Sequence, residues 1–212
     1  MIPLPPEASA GLFGKLPARG DFVRENLPRD FTDAWDAWWQ RGLADTQARW
    51  PDAWRDAWLE TPIWRFMLPP GVCGKSGMLG LWIPSVDKVG RYSPLTIAAA
   101  APCDWLPYVG VMAPFLAAAE AAACNALEHD LAPVEVMERI QPALVSADTP
   151  DPDPGFVDGH TAWWTEGGPR VRARFETGVG LPEGNWFAAF MDDEWGGSDG
   201  GLPSAPGTQD AS

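Results

Sequence analysis

The chain has 212 residues, of which 46% are apolar and 21% charged, and it is therefore long enough for one globular domain with a sizeable core. Its net charge of −14 falls entirely in residues 101–212, which argues against nucleic acid and anionic membranes as partners because like charges repel. Three cysteines without a C-x-x-C pair, and the absence of a basic region before a long apolar run, lead us to expect a cytoplasmic protein without membrane insertion.

The first hundred residues predict two short strands, two helices and three more strands. Residues 1–10 read as a flexible lead-in, and residues 11–23 predict a strand, a loop and the beginning of a second strand. Apolar residues at three- and four-residue steps predict a helix over residues 28–49, with Asp30 as a candidate cap. Pro51 opens a second short helix. Short turns containing Gly, Pro or Asp favour an antiparallel meander of the next strands, residues 62–68, 78–83 and 94–101.

The second half predicts helices, a linker and one hairpin. The alanine-rich helix over residues 104–128 contains Pro114, where it is expected to break. The remaining predicted elements are a short helix (133–140), a polar linker (146–159), two paired strands (160–165 and 170–176) and a last helix (181–191). An acidic, glycine-rich tail (192–212) is expected to be disordered.

This order of elements predicts a mixed α/β fold. Strands that come in hairpin pairs favour a largely antiparallel sheet, and helices between them favour cover on both faces. We therefore expect residues 11–191 to form a single-domain three-layer αβα sandwich.

A glycine-rich stretch, GVCGKSG at residues 71–77, looks like the beginning of a phosphate-binding loop. The required spacing would place a glycine at position 69, where Pro69 stands, and the residues that follow predict a strand instead of a helix. A turn between two strands is the better interpretation.

The sequence also offers little for metal binding or covalent catalysis. His129 and His160 have no partner at familiar ligand spacing, so no metal or other cofactor is expected. Cys73 is the most reachable thiol by sequence, but no base or hydrolase motif accompanies it.

The thirteen tryptophans need an explanation. Trp35, Trp54 and Trp58 lie on helix stripes that should face the sheet. Trp38 and Trp39 are adjacent and diverge by about 100° on a helix, so both cannot face the core equally. Trp39 is therefore a candidate partner-binding anchor.

Two polar stretches beside fixed turns are candidate contact sites. The first, GKLPARGDF, contains Lys15 and Asp21, with Arg24 just beyond it. The second, DKVGRYSPL, contains Asp87 and Arg91 in a turn before a strand. Such residues suit contacts to an acidic or phosphorylated partner, although solvated or purely structural turn residues are an equally good interpretation.

These stretches resemble the TagF (ImpM) family, accessory proteins of bacterial type VI secretion. The G-K-L-P-x-x-G-D-F segment (residues 14–22) is followed by Arg24, a Leu-Pro pair, and a helix with a W-D-x-W-x-Q pattern (residues 35–40). A D-x-x-G-R-x-x-P-L segment (residues 87–95) and a late A-W-W-T strand (residues 162–165) complete the resemblance, which extends from residue 11 to about residue 190.

The resemblance implies a non-enzymatic, post-translational repressor of type VI secretion. Family members are thought to act on the forkhead-associated scaffold protein Fha and to oppose the threonine-phosphorylation pathway. Some are fused to a phosphatase domain, which this chain is too short to carry, so any phosphatase would be a separate protein. Two alternatives are kept, a cryptic hydrolase and a structural adaptor at the secretion baseplate. The candidate partner-binding residues are Lys15, Asp21, Arg24, Trp39, Asp87 and Arg91.

Overall fold

The computed structural model describes residues 10–16, 22–101, 113–141 and 159–197. Within them, seven strands form one sheet, and every neighbouring pair is antiparallel. The strands are β1 (Ala10–Lys15), β2 (Phe22–Glu25), β3 (Trp64–Leu68), β4 (Gly77–Val86), β5 (Tyr92–Ala101), β6 (Thr161–Thr165) and β7 (Arg174–Gly178). Their order across the sheet is β2-β1-β5-β4-β3-β6-β7. The predicted meander is thus confirmed as β3, β4 and β5.

Helices cover both faces of the sheet, which confirms the three-layer αβα prediction. They are α1 (Arg29–Arg49), α2 (Trp54–Leu59), α3 (Ala113–His129), α4 (Pro133–Ile140) and α5 (Asn185–Ala188), followed by a 3-10 helix, Asp193–Gly196. On one face, α3 and α4 bury alanine and aliphatic side chains against β1, β4 and β5. We call this side the aliphatic layer.

The other face holds α1, α2 and α5 in what we call the aromatic layer. Trp35 lies at its centre, with its ring 4.7 Å from that of Phe66 on β3 and stacked at 6.1 Å on Trp163 of β6. The indole N–H of Trp35 donates a 2.9 Å hydrogen bond to the Thr96 hydroxyl on β5. Large aromatic side chains therefore make up most of this core, and several of the tryptophans also donate a hydrogen bond from the indole N–H.

The sequence misplaced two features of the chain's fold. Helix α1 begins at Arg29, and Asp30 does not cap it: the Oδ2 atom of Asp30 instead accepts a 2.9 Å hydrogen bond from the backbone N–H of Lys75. This hydrogen bond lowers the pKa of Asp30. The GVCGKSG stretch is therefore a turn between β3 and β4 that is fastened to the first turn of α1.

The domain also extends past the predicted boundary at residue 191. Asp192 accepts a hydrogen bond from the backbone N–H of Glu194 and begins the 3-10 helix. Trp195 is buried, and its ring stacks on Trp50 at 4.6 Å. Residues 192–197 therefore belong to the packed domain, whereas the rest of the predicted tail lies outside the described residues.

Candidate functional site

The fold brings the two polar stretches together at one end of the sheet. Lys15 is the last residue of β1, and the turn between β4 and β5 lies beside it. The Lys15 carbonyl accepts a 2.8 Å hydrogen bond from the Ser85 hydroxyl of β4. The Lys15 ammonium lies 3.5 Å from the Asp87 carboxylate, and only 6% of the Lys15 side chain and none of the Asp87 side chain is exposed. The structure thus joins the two motifs through a buried ion pair.

Asp87 organises the turn that follows β4. Its Oδ1 atom accepts hydrogen bonds from the backbone N–H groups of Val89 at 3.0 Å and Arg91 at 2.8 Å, and its Oδ2 atom accepts one from Arg91 Nε at 2.7 Å. The Gly90 N–H donates to the Asp87 carbonyl, and Gly90 has φ +83°. Lys88, Val89 and Gly90 thus form a three-residue hairpin loop between Asp87 and Arg91. The left-handed backbone of its last position favours glycine.

The electrostatics of Asp87 follow from these contacts. Burial by itself would raise the pKa of the carboxyl, but the hydrogen bonds from Arg91 and Val89 and the charge of Lys15 outweigh burial and lower the pKa to about 2. Asp87 is therefore ionised at neutral pH and acts as an acceptor for the turn.

Lys15 is held from several sides. Burial lowers the pKa of its ammonium, the Asp87 carboxylate opposes that shift, and the nearby positive charge of Arg91 adds to it. The ammonium also lies 5.0 Å from the centroid of the Phe22 ring on β2, a cation–π contact. Asp36 on α1 contributes a further, weaker attraction, and burial raises the pKa of Asp36 itself.

Around this buried pair lies a partly exposed surface, which we call the hairpin end. It carries two exposed apolar side chains, with Val89 64% exposed at the turn and Phe22 45% exposed on β2. Its cationic side chains are those of Lys88 and Arg91. Aromatic rings and arginine are enriched in protein interfaces, and arginine also suits recognition of anionic groups. The exposed aliphatic side chain of Val89 adds apolar area to this surface. The buried Asp87 fixes the position of the tip without being part of its surface.

The other candidate residues fall in different places. Arg24 is exposed on β2, where its Nη1 atom donates to the Thr32 hydroxyl at 3.3 Å and lies 3.7 Å from the Asp33 carboxylate. Asp21 lies outside the described residues. The prediction that Trp39 is an exposed anchor is wrong, because the residue is only 2% exposed.

Trp39 and Trp38 are both buried because the aromatic layer surrounds α1 on two sides. The Trp39 ring meets Trp82 of β4 at 4.5 Å and Trp58 of α2 at 5.8 Å. The Trp38 ring meets Trp163 of β6 at 5.6 Å, and both rings meet Phe187 of α5, at 5.2 Å from Trp38 and 5.1 Å from Trp39. Side chains that diverge on the helix therefore reach two different parts of the same core.

Sequence reasoning also missed part of the hairpin end. Phe22 lies inside the first motif and Val89 inside the second, but neither has the charge that marks a candidate contact residue in a polar turn. An apolar residue at the tip of a polar turn was the available signal, since nothing in such a turn buries it. The role of Asp36 could not have been found, because its proximity to Lys15 depends on how α1 lies on the sheet.

Glycine and proline of the two motifs are in contact with each other. Gly14 of β1 pairs with Leu95 of β5, and a Cβ atom at Gly14 would lie 2.0 Å from the Pro94 carbonyl oxygen. Gly14 also has φ +134°. These motif residues let two strands approach closely, and so part of the motif is structural.

The described residues allow two candidate chemistries to be checked, a reactive thiol at Cys73 and a metal site. Cys73 is buried, and burial raises the pKa of its thiol to about 12, so it stays protonated at neutral pH. Across the described ranges, no group of three or more His, Cys, Asp or Glu side chains could hold a metal ion. No helix within those ranges has both the length and the apolar character needed to cross a membrane.

Comparison with known proteins adds a family and a fold relative. A family profile described as the TagF N-terminal domain, type VI secretion system-associated, matches residues 11–143. Among solved structures, the chain is similar to the crystal structure of PA0076 from Pseudomonas aeruginosa PAO1, at 31% sequence identity and a TM-score of 0.77. That similarity covers 94% of this chain and 100% of the other. No curated protein sequence matches the chain.

Proposed function

The chain belongs to the TagF family of type VI secretion-associated proteins, and from this premise we propose that it is a negative, post-translational regulator of a bacterial type VI secretion system. It acts by binding another protein and not by catalysis. The observation that carries the proposal is the hairpin end, where a buried ion pair of Lys15 and Asp87 holds a partly exposed apolar and cationic surface in place.

The partner that we propose is the forkhead-associated scaffold Fha of the threonine-phosphorylation pathway. The resemblance of the sequence motifs supports this choice, and so does the chemistry of the hairpin end. The surface combines Lys88 and Arg91 with an aromatic ring in a chain whose net charge is −14, so an acidic patch on the partner would be attracted here and repelled elsewhere. A separate phosphatase would act on the same pathway.

The buried state of Cys73 supports the non-enzymatic part of the proposal. A protonated, enclosed thiol is a poor nucleophile, and that removes the residue on which a hydrolase would most readily rely. We also place the protein in the cytoplasm, in agreement with the free thiols of Cys73 and Cys124.

Secretion measured in the host under repressing conditions tests the regulatory role. Deleting the gene should raise the release of secreted substrates, and wild-type complementation should restore repression. Unchanged secretion in the deletion strain would contradict the proposal.

A pull-down with purified Fha tests the partner. Wild type should retain Fha, whereas a folded Val89→Asp variant should lose it and a Val134→Asp variant should not. Val134 is a matched control because it is 61% exposed on α4. A second pull-down, from host lysate, tests the alternative: retention of baseplate subunits in place of Fha would favour the structural adaptor.

A further inference from the structure

We propose that the edge strand β7 pairs with β7 of a second copy of this chain, across a two-fold axis, to form a weak dimer. This surface is at the opposite edge of the sheet from β2 and is independent of the hairpin end. Strand β7 is the last in the sheet order, and within the described ranges no strand lies along its outer side. The backbone groups on that side can therefore pair with another strand.

Two exposed apolar side chains mark this edge. Phe175 is 48% exposed and Val179, directly after the strand, is 78% exposed. Because side chains alternate along a strand, Phe175 and Thr177 point to one face of the sheet, and Val179 stands at the next position of that alternation, one residue past the end of the strand. Phe175 packs there against Trp164 of β6, with ring centroids 6.1 Å apart. The stripe is thus an extension of the aliphatic layer to the edge of the sheet.

The charged residues of β7 point to the opposite face and are already engaged. Arg174 forms an ion pair with Asp193 and donates a 2.8 Å hydrogen bond to the Ala189 carbonyl. Glu176 accepts a 2.7 Å hydrogen bond from the Trp186 indole. Charged side chains are one of the features that protect an edge strand from pairing with another chain. On β7 they are held inward, whereas β2 at the other edge keeps Arg24 and Glu25 exposed.

The sequence of β7 is self-complementary in one antiparallel register. A two-fold axis normal to the sheet requires that each residue face one from the same side of the strand. With Thr177 opposite its own copy, Phe175 lies opposite Val179 of the second copy, and the reciprocal pair forms by symmetry. Aromatic–β-branched and Thr–Thr pairs are both favourable across strands. Glu176 then faces Gly178, so this register avoids contact between like charges.

The contact is small, and the two copies carry like charge. A pairing of about five residues falls well below the 1,200 Å² or so that a stable interface buries, so we expect a dissociation constant of about 10 μM or weaker. Each copy has a net charge of −14, and their repulsion is screened by salt. Dimerisation should therefore strengthen as the ionic strength rises, which is opposite to the effect expected for a basic partner strand.

Sedimentation velocity on the full chain from about 1 to about 200 μM tests the dimer around the expected dissociation constant. Wild type should shift from monomer towards dimer, and more so at about 0.5 M salt than at about 0.05 M. Val179→Lys should weaken the dimer at least tenfold, whereas Val134→Lys, at another largely exposed valine on α4, should not. A monomer at every concentration, or a dimer indifferent to Val179→Lys, overturns the proposal, as does weakening of the dimer by salt.

Oxidative cross-linking tests the register. Thr177→Cys places two thiols opposite each other across the axis and should give a covalent dimer above the level that the native cysteines give in wild type. Val134→Cys should give no more covalent dimer than wild type. Thr177→Cys also tests the dimer if circular dichroism shows that Val179→Lys is unfolded. Absence of cross-linking in folded Thr177→Cys at dimer-forming concentration overturns the proposed register.

Discussion

The Lys15 ammonium lies 3.5 Å from the Asp87 carboxylate, and the Asp87 side chain is wholly enclosed. The pair joins the end of β1 to the turn between β4 and β5. The same carboxylate accepts two backbone N–H groups of that turn. A single buried charge therefore determines both how the turn is shaped and where it lies on the sheet.

Removing that charge should destabilise the protein in a pH-dependent way. The folded pKa of Asp87, about 2, is below its ordinary value of 3.8, so its contribution to the free energy of unfolding is complete above about pH 4 and is lost as the pH falls towards 2. Asp87→Asn should lower the melting temperature at pH 7, and the difference from wild type should narrow between pH 4 and pH 2. Thermal melts over this range measure it. Asp33→Asn is the control, since Asp33 is exposed and its ion pairs are 3.7 Å long. If the melting temperature of Asp87→Asn differed from that of wild type by the same amount at every pH, the stabilising role of the Asp87 charge would be contradicted.

The tip of the hairpin end should matter for binding and not for folding. Val89 is 64% exposed, so Val89→Asp should change the free energy of unfolding by no more than about 0.5 kcal/mol. In the proposed complex it would introduce a desolvated charge that repels an acidic partner, and Fha affinity should fall at least tenfold. Isothermal titration calorimetry measures the affinity. Equal affinity of Val89→Asp and wild type would move the partner surface elsewhere.

Two motif glycines should respond differently to alanine. In Gly14→Ala the new methyl group would lie 2.0 Å from the Pro94 carbonyl oxygen, and the backbone of residue 14 has a φ of +134°. We therefore expect the free energy of unfolding to fall by about 3 kcal/mol or more. In Gly90→Ala the new methyl group meets no atom within 4 Å, and only the left-handed backbone at φ +83° disfavours the substitution. The free energy of unfolding should therefore fall by only about 1 kcal/mol. Urea denaturation of both variants measures the difference. Similar losses would mean that β1 and β5 are farther apart than described.

Trp39 should behave as a core residue. Trp39→Ala removes a ring packed between Trp58 and Trp82 and should destabilise the fold by about 3–5 kcal/mol. Trp39→Phe keeps most of the side-chain volume and should destabilise the fold less than Trp39→Ala. A melting temperature unchanged in Trp39→Ala would restore the interpretation as a surface anchor, and denaturant unfolding followed by circular dichroism decides between them.

Much of the fold could be predicted from local pattern. Strand-length apolar runs bounded by short turns predicted the meander of β3, β4 and β5. Periodic aromatic residues predicted α1 over nearly its observed length, Arg29–Arg49. These signals are local, and so one sequence contains them.

What the sequence missed depends on contacts between distant segments. The sequence predicts Trp39 as a surface residue because one helix has one inward direction, but α1 is packed between the sheet, α2 and α5 and buries more than one face. The sequence predicts Lys15 and Asp87 as partner-binding residues in polar turns, whereas their side chains are buried against each other. The extension to Trp195 was missed because an acidic, glycine-rich composition obscures one tryptophan that stacks on Trp50.

The division of the core into an aromatic and an aliphatic layer also decides what spectroscopy can see. Of the tryptophans in the described ranges, Trp164 alone borders the aliphatic layer, and the others pack in or against the aromatic layer. The fluorescence of these tryptophans therefore reports almost entirely on the side of the sheet covered by α1, α2 and α5. Far-ultraviolet circular dichroism also registers α3 and α4, so comparing the two signals during denaturation shows whether the two sides of this sheet melt together.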